Sequence, residues 1–253
     1  MKKILQKIAK KMGYTLTKSA KNNYPDIKEK EFWNIYAMCK PYTMTSIERM
    51  YALYSSTDYV LKNNIEGDFV ECGVWRGGSA MLLAMMLNNR NITNRKIHLF
   101  DTFEGMTAPS SFDFSFSGEN ATELLSKNTD ESGKPAWCLA DINDVKNNMQ
   151  KTGFPSDNLV YVKGKVEDTL PLNKPTAPIA LLRLDTDWYE STKHELNVLY
   201  PILTHNGILI IDDYGHWEGC RKAVDEYISE NKVSILLNRI DYTGRVAIKN
   251  INA

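Results

Sequence analysis

From residue 67 onward, short apolar runs of β character alternate with longer stretches of helical period, and each run stops at or beside an acidic residue or a glycine. The runs are Asp68–Cys72, Lys96–Asp101, Leu159–Lys163, Ile179–Asp185 and Ile208–Asp212. GILIID is continuously apolar until its terminal Asp and IALLRLD is broken before its own only by Arg183, as a strand buried on both faces requires. Between them the period predicts helices at about Ser79–Asn89, Ile142–Thr152, Glu190–Leu203 and Gly219–Glu230. Strands alternating with helices specify an α/β fold with a doubly wound, mostly parallel sheet. Two last β runs, Ser234–Asn238 and Arg245–Lys249, flank the turn-like Asp241–Gly244 and predict a terminal antiparallel hairpin. Residues 1–66 precede the first strand as an N-terminal helical extension, in which IERMYALYSSTDYVLK is apolar at helical spacing; residues 67–253 form the main domain.

Composition narrows the function. With 43% hydrophobic and 25% charged residues and a formal net charge of zero, the chain is globular, and nothing attracts it as a whole to a phosphate backbone. A nucleic-acid coat protein is thus disfavoured, and a small-molecule partner is expected. Cys39, Cys72, Cys138 and Cys220 lie too far apart in sequence for a zinc pair or a disulfide ladder, which leaves reduced, mostly buried thiols. No run reaches the ~18 apolar residues of a spanning helix.

The opening MKKILQKIAKKMGY begins with lysines as an export signal does, but Lys7, Lys10 and Lys11 interrupt every apolar run. The expectation is a cytoplasmic protein. At helical period Ile4, Leu5, Ile8, Ala9 and Met12 form one face and Lys2, Lys3, Lys7, Lys10 and Lys11 the other. Such a segment packs on the body or a partner subunit, or rests peripherally on an anionic membrane at its inner face. Gly105–Pro135, rich in Ser, Phe, Gly and Asn, reads as a long irregular insertion of the kind that serves as a lid or binding loop.

In an open parallel sheet, ligands bind beyond the carboxyl ends of the strands. The first strand runs through Glu71 into Gly73, Gly77, Gly78 and Ser79, a turn that admits close backbone approach before a helix. It departs from the dinucleotide fingerprint because Trp75 occupies the second glycine position, which disfavours a nicotinamide cofactor. Asp101 ends the next strand, where a carboxylate accepts the hydroxyls of a ribose or caps a turn. Lys165–Asp168 follows the third and either flanks an adenine or begins a helix. Asp185 and Asp187 end the fourth strand, and Asp212 and Asp213 the fifth. If those strands are neighbours, three or four carboxylates share one small volume, a repulsion that a hard, oxygen-seeking dication such as Mg²⁺ relieves. The alternative is that some of these Asp residues cap helices or pair with Arg183 and Arg221. His216 reads as a structural residue or as a base or orienting group for the acceptor, His194 as surface or core, and Trp188 and Tyr189 as either acceptor wall or packing.

In five ordered blocks, GDFVECGVWRGGSA, DTFEGM, VKGKVEDTLP, RLDTDWYESTKHELNVLYPIL and GILIIDDYGHWEGCRKAVDEY, the sequence resembles the macrocin O-methyltransferase (TylF/MycF) family of metal-dependent sugar O-methyltransferases. The resemblance extends from about Thr43 to the C-terminus. It implies a class I methyltransferase, Rossmann-like fold with S-adenosylmethionine and Mg²⁺ as cofactors. Glu71, Gly73 and Ser79 would lie at the methionine end, Asp101 at the ribose, and Val166 and Glu167 at adenine. Asp185, Asp212 and Asp213 would hold Mg²⁺, with Asp185 or Asp187 as base. The acceptor would be a small molecule or glycan with vicinal hydroxyls, and the protein a homo-oligomer. Alternatives are a catechol-type O-methyltransferase and a cofactor-binding module without turnover, though a mere binder has no need of clustered strand-end carboxylates.

Overall fold

The structure, a computed structural model, describes residues 23–129 and 136–250. The amphipathic N-terminal segment expected over the first residues lies outside that range, as do residues 130–135 of the expected insertion. Along the chain run α1 (Lys30–Cys39), α2 (Ile47–Lys62), β1 (Asp68–Cys72), α3 (Gly78–Asn89), β2 (Ile97–Asp101), α4 (Ala121–Lys127) and α5 (Ile142–Gln150). They are followed by β3 (Leu159–Lys163), α6 (Val166–Asn173), β4 (Ile179–Leu184), α7 (Tyr189–Leu199), β5 (Leu203–Ile211), α8 (Glu218–Glu230), β6 (Asn238–Arg239) and β7 (Arg245–Ile248).

The seven strands form one sheet of order β3-β2-β1-β4-β5-β7-β6, parallel except for β7, which runs antiparallel to both neighbours. Strand alternation divides the interior into two layers. Phe69, Leu181, Ile208 and Ile210 face α1, α2, α3 and α5 through Phe32, Met50, Leu82 and Val145. Val70, Leu182, Leu209 and Ile211 face the other way, onto Leu170, Leu196 and Val224 of α6, α7 and α8. Both faces of β1 and β4 are therefore dry, which is why these runs lack polar alternation.

The observed ends differ from the expected ones for local reasons. The helix expected to Leu203 stops at Leu199, because Pro201 lacks an amide hydrogen and turns Tyr200–Ile202 into a 3₁₀ segment. β5 begins at Leu203 rather than Ile208, and its register against β4 shifts between Ile179 and Leu181, so the polar THNG stretch is a bulge inside the strand. Of the expected run Ser234–Asn238, only Asn238 joins a ladder; the other partner edge of β7 already belongs to β5. One helix lies where irregular chain was expected, and another bears out the helix start that Lys165–Asp168 allowed. Inside the insertion, α4 is capped by Asn120, whose side chain accepts from the amides of Thr122 and Glu123. After β3, α6 carries Glu167 and Asp168 in its first turn.

Strand order reverses beside β1, whose neighbours β2 and β4 lead away in opposite directions. The crevice outside the carboxyl ends of β1, β2, β4 and β5 is the place where an open sheet of this kind accommodates a ligand.

Candidate active site

A cavity of about 290 Å³ opens at that crevice. The turn after β1 forms one wall. Gly73 has φ +81°, and a Cβ there would lie 1.9 Å from the carbonyl oxygen of Asp185, so only glycine lets the tips of β1 and β4 meet. Asp101, ending β2, accepts from the amides of Val74 at 2.6 Å and Trp75 at 3.1 Å through Oδ2, and from the amide of Phe103 at 2.7 Å through Oδ1. These bonds hold the turn while Asp101 still lines the cavity, with one Oδ1 lone pair remaining for a further donor. Gly73, Ser79, Lys165, Val166 and Glu167 line the same space. Glu71 does not. It is fully buried behind the wall, where Arg183 Nη1 donates to it at 2.6 Å and where burial pushes its carboxyl above the ordinary range.

The opposite wall is acidic. Asp185, Asp187 and Asp213 each turn a carboxylate oxygen into one volume, the three lying within 4.8 Å of one another. Two guanidiniums serve the neighbourhood. Arg183, 2% exposed, bridges Glu71, Asp185 at 2.8 Å and Asp212 at 2.7 Å. Arg49, from α2, pairs with the second oxygen of Asp212 and donates through Nε to Asp241 at 3.0 Å. Removing one member of such a buried set typically costs about 3–5 kcal/mol, because the survivors stay uncompensated.

Both oxygens of Asp212 are thus occupied, whereas Asp187 and Asp213 have no cationic partner among the described residues. Burial, then the charges of Asp185 and Asp212, raise Asp187 to about 7. Asp185 and Asp213 are lifted well above the carboxylate range, first by burial and then by neighbouring carboxylates, against the pull of the two arginines. Asp213 Oδ2 is buried with no hydrogen-bond partner. Oxygen-only donors, a deficit of positive charge and an orphaned buried oxygen fit a hard dication.

Trp137 and Trp217 form the remaining wall, with Met106, Thr107, Cys138, His216 and Tyr242. Trp188 is 2% exposed, lies behind Trp217 with ring centroids 4.9 Å apart, and donates to the carbonyl of Thr107; packing is its role. Tyr189 is likewise buried, its hydroxyl donating to Glu226. Phe116 stands over His216 and Tyr242 at 5.5 and 5.7 Å between ring centroids, on a loop strand bridged to Trp217 through Ser115. His194 lies outside the cavity, and Arg221 pairs along its own helix with Asp225.

Three contributors escaped the sequence reading. Thr45 and Arg49 come from the helical extension, where Arg49 sits in the first turn of a helix, a position whose dipole favours acids. That mismatch is the signal that marks it. Asp113, 1% exposed, anchors the insertion by accepting from the Tyr189 amide at 2.8 Å and from Ser110. Gly219 leaves the room, since a Cβ there would lie 1.8 Å from Asp113 Oδ1.

Among solved structures, the O-methyltransferase NovP matches with a TM-score of 0.72 and 28% identity over 83% of this chain and 82% of NovP. The calicheamicin methyltransferase CalS11 shares the fold, at a TM-score of 0.60 and 18% identity over 92% of this chain and 94% of CalS11. Sheet order, crevice and these likenesses define a class I O-methyltransferase. The chain belongs to the macrocin O-methyltransferase (TylF) family, whose pattern matches residues 2–249. Among its relatives, the 8-demethyl-8-(2,3-dimethoxy-alpha-L-rhamnosyl)-tetracenomycin-C 4'-O-methyltransferase of Streptomyces olivaceus is 34% identical over 80% of this chain and 74% of the relative. The demethyldecarbamoylnovobiocin O-methyltransferase of Streptomyces niveus is 31% identical over the same shares.

Proposed function

We propose that this protein transfers the methyl group of S-adenosylmethionine to a hydroxyl of a sugar that bears vicinal hydroxyls and is carried on a small molecule, with Mg²⁺ as cofactor. One observation carries the reading: the glycine turn with Asp101 and the trio Asp185, Asp187 and Asp213 line a single cavity. The rhamnosyl group in the substrate named for the tetracenomycin relative supports the sugar.

In this account Asp101 receives a ribose hydroxyl, Gly73 and Ser79 border the methionine end, and Val166 and Glu167 border adenine. Asp185, Asp187 and Asp213 hold the dication. The family resemblance points to Asp212 as a ligand; here its oxygens are taken by Arg49 and Arg183, and we assign it to holding those arginines in place. A bound dication supplies Lewis acidity that lowers the pKa of a nearby hydroxyl.

The sulfonium methyl is already electrophilic, so what the protein must provide is alignment of the acceptor oxygen and removal of its proton. Trp137 and Trp217 offer the ring faces against which a sugar lies flat, and alignment of this kind is worth about 7–11 kcal/mol. Asp187, which forms no ion pair with an arginine among the described residues, takes the proton as the oxygen attacks. The carbon–sulfur bond breaks, its electron pair stays on sulfur, and the products are a methyl ether and the neutral thioether nucleoside.

Methyl transfer to glycosides, nucleotide sugars and catechols, each with Mg²⁺ and with chelator, tests the reading. Turnover of glycosides in Mg²⁺ and its loss in chelator are expected, together with weaker S-adenosylmethionine binding by Asp101→Ala. Full turnover in chelator refutes the metal assignment, and preference for a catechol refutes the acceptor.

A further inference from the structure

The sequence between the two aspartates at the end of β4 makes an unusual turn. Asp187 is a non-glycine residue at φ +68°, a conformation that costs on the order of 1–3 kcal/mol unless its surroundings impose it. Asp185 is anchored by its amide, which donates to the carbonyl of Cys72 at 2.8 Å, and the Trp188 amide closes the turn onto the carbonyl of Thr186. Thr186, in the middle, donates its hydroxyl at 3.0 Å to Glu195 Oε1, one carboxyl oxygen of a residue in α7.

Glu195 is wholly buried, and no arginine or lysine pairs with it among the described residues. Its other oxygen, Oε2, has no hydrogen-bond partner. Burial pushes its carboxyl well above the ordinary range, with the Thr186 hydroxyl and the Cys72 thiol pulling the other way. A wholly buried carboxyl with an orphaned oxygen is a poor device for stability, since an apolar side chain of similar size would fill the space without one. What the residue does supply is a directional acceptor for the hydroxyl between the two aspartates.

We propose that Glu195 is a positioning residue: by fixing Thr186 it sets the turn that aims Asp185 and Asp187 at the same cation as Asp213. The inference rests on the metal reading above. Mutation of groups that orient metal ligands typically weakens metal binding 10–100-fold.

Manganese binding to the full chain, titrated by electron paramagnetic resonance, separates the possibilities, with melting temperature measured alongside. For Glu195→Leu the expectation is an unchanged or raised melting temperature with a Kd for Mn²⁺ 10–100-fold weaker. Glu195→Gln, which keeps an acceptor oxygen, is expected to stay within about threefold of the parent. Thr186→Val, which removes the donor from the other side, is expected to weaken binding about tenfold and serves if the leucine variant does not fold. Parent-like affinity in Glu195→Leu or Thr186→Val, while the parent binds Mn²⁺, overturns this inference and leaves the metal reading standing. Equal weakening in the Leu and Gln variants also overturns it. No binding by the parent overturns the metal reading and this inference with it.

Discussion

Replacing Asp187 by asparagine separates stability from catalysis in a single variant. Asparagine keeps the size of the side chain and tolerates the positive φ at this position. In the metal-free protein the Asp187 carboxyl is raised from the ordinary range to about 7, and burial is the largest cause. A group whose folded pKa is raised contributes stability below its unfolded value near 4, and that contribution disappears as pH climbs through the folded value. The rise is roughly three pK units, or on the order of 4 kcal/mol at 1.36 kcal/mol per unit. Because Asp187 is partly exposed, screening by solvent brings the working figure to about 2 kcal/mol. At about 2–4 °C per kcal/mol for a chain of this size, Asp187→Asn melts roughly 4–8 °C above the parent in chelator at pH 8 and no higher at pH 4. Methyl transfer falls at least 10²-fold in the same variant, and the stabilisation by Mg²⁺, about 3 kcal/mol for the parent at a hundred times its Kd, shrinks. Calorimetric melts at the two pH values, with chelator and with Mg²⁺, measure all of this. A variant that melts at or below the parent at pH 8 in chelator refutes the account of the site as an uncompensated cluster.

Two further outcomes follow from the same geometry. Gly73→Ala forces a Cβ to within 1.9 Å of the Asp185 carbonyl oxygen, against ~3.5 Å for an ordinary contact, so the tips of β1 and β4 must part by more than an ångström. A fall in kcat of about 10²-fold is expected by steady-state assay, and parent-like kinetics would contradict the close approach. Burial alone would raise Asp241, but the amides of Gly244 and Thr243, the Ser46 hydroxyl and Arg49 outweigh it and hold its carboxyl low. Its stabilising share is therefore present above pH 4 and lost as pH falls through its depressed pKa, so Asp241→Asn is less stable at pH 7 by about 1–3 kcal/mol and converges with the parent near pH 2. A gap that stays constant across an acid titration of the melting temperature would exclude that linkage.

The sheet was legible because its central strands β1 and β4 are buried on both faces and carry no competing pattern, and because each strand run stops at a glycine or an acid; Asp68–Cys72 and the half-exposed Leu159–Lys163 match residue for residue. Element ends were less so where a single residue decides, as at Pro201, or where a polar bulge interrupts the apolar run, as in β5. The strand-end aspartates were legible for the same reason as the strands, since a charged residue closing an apolar run needs a purpose. Which of them converge was not, because the directions of Asp187 and Asp212 depend on a turn and on arginines distant in the chain. Arg49 and Asp113 belong to segments whose local pattern is that of an ordinary amphipathic helix and an irregular loop; only the assembled fold brings them to the site. The cap of α4, Asn120 with Glu123 three residues on, was present in the sequence but hidden in a stretch dominated by serine and phenylalanine.

The ion pair that joins Arg49 to Asp241 links residues 192 positions apart. α2 precedes β1 and the hairpin turn follows β5, so the pair ties together two segments with the carboxylates of β4 and β5 between them in the chain. Damage to the hairpin turn would therefore strike the cavity as directly as a mutation inside it, because Asp241 holds Arg49 and Arg49 holds Asp212.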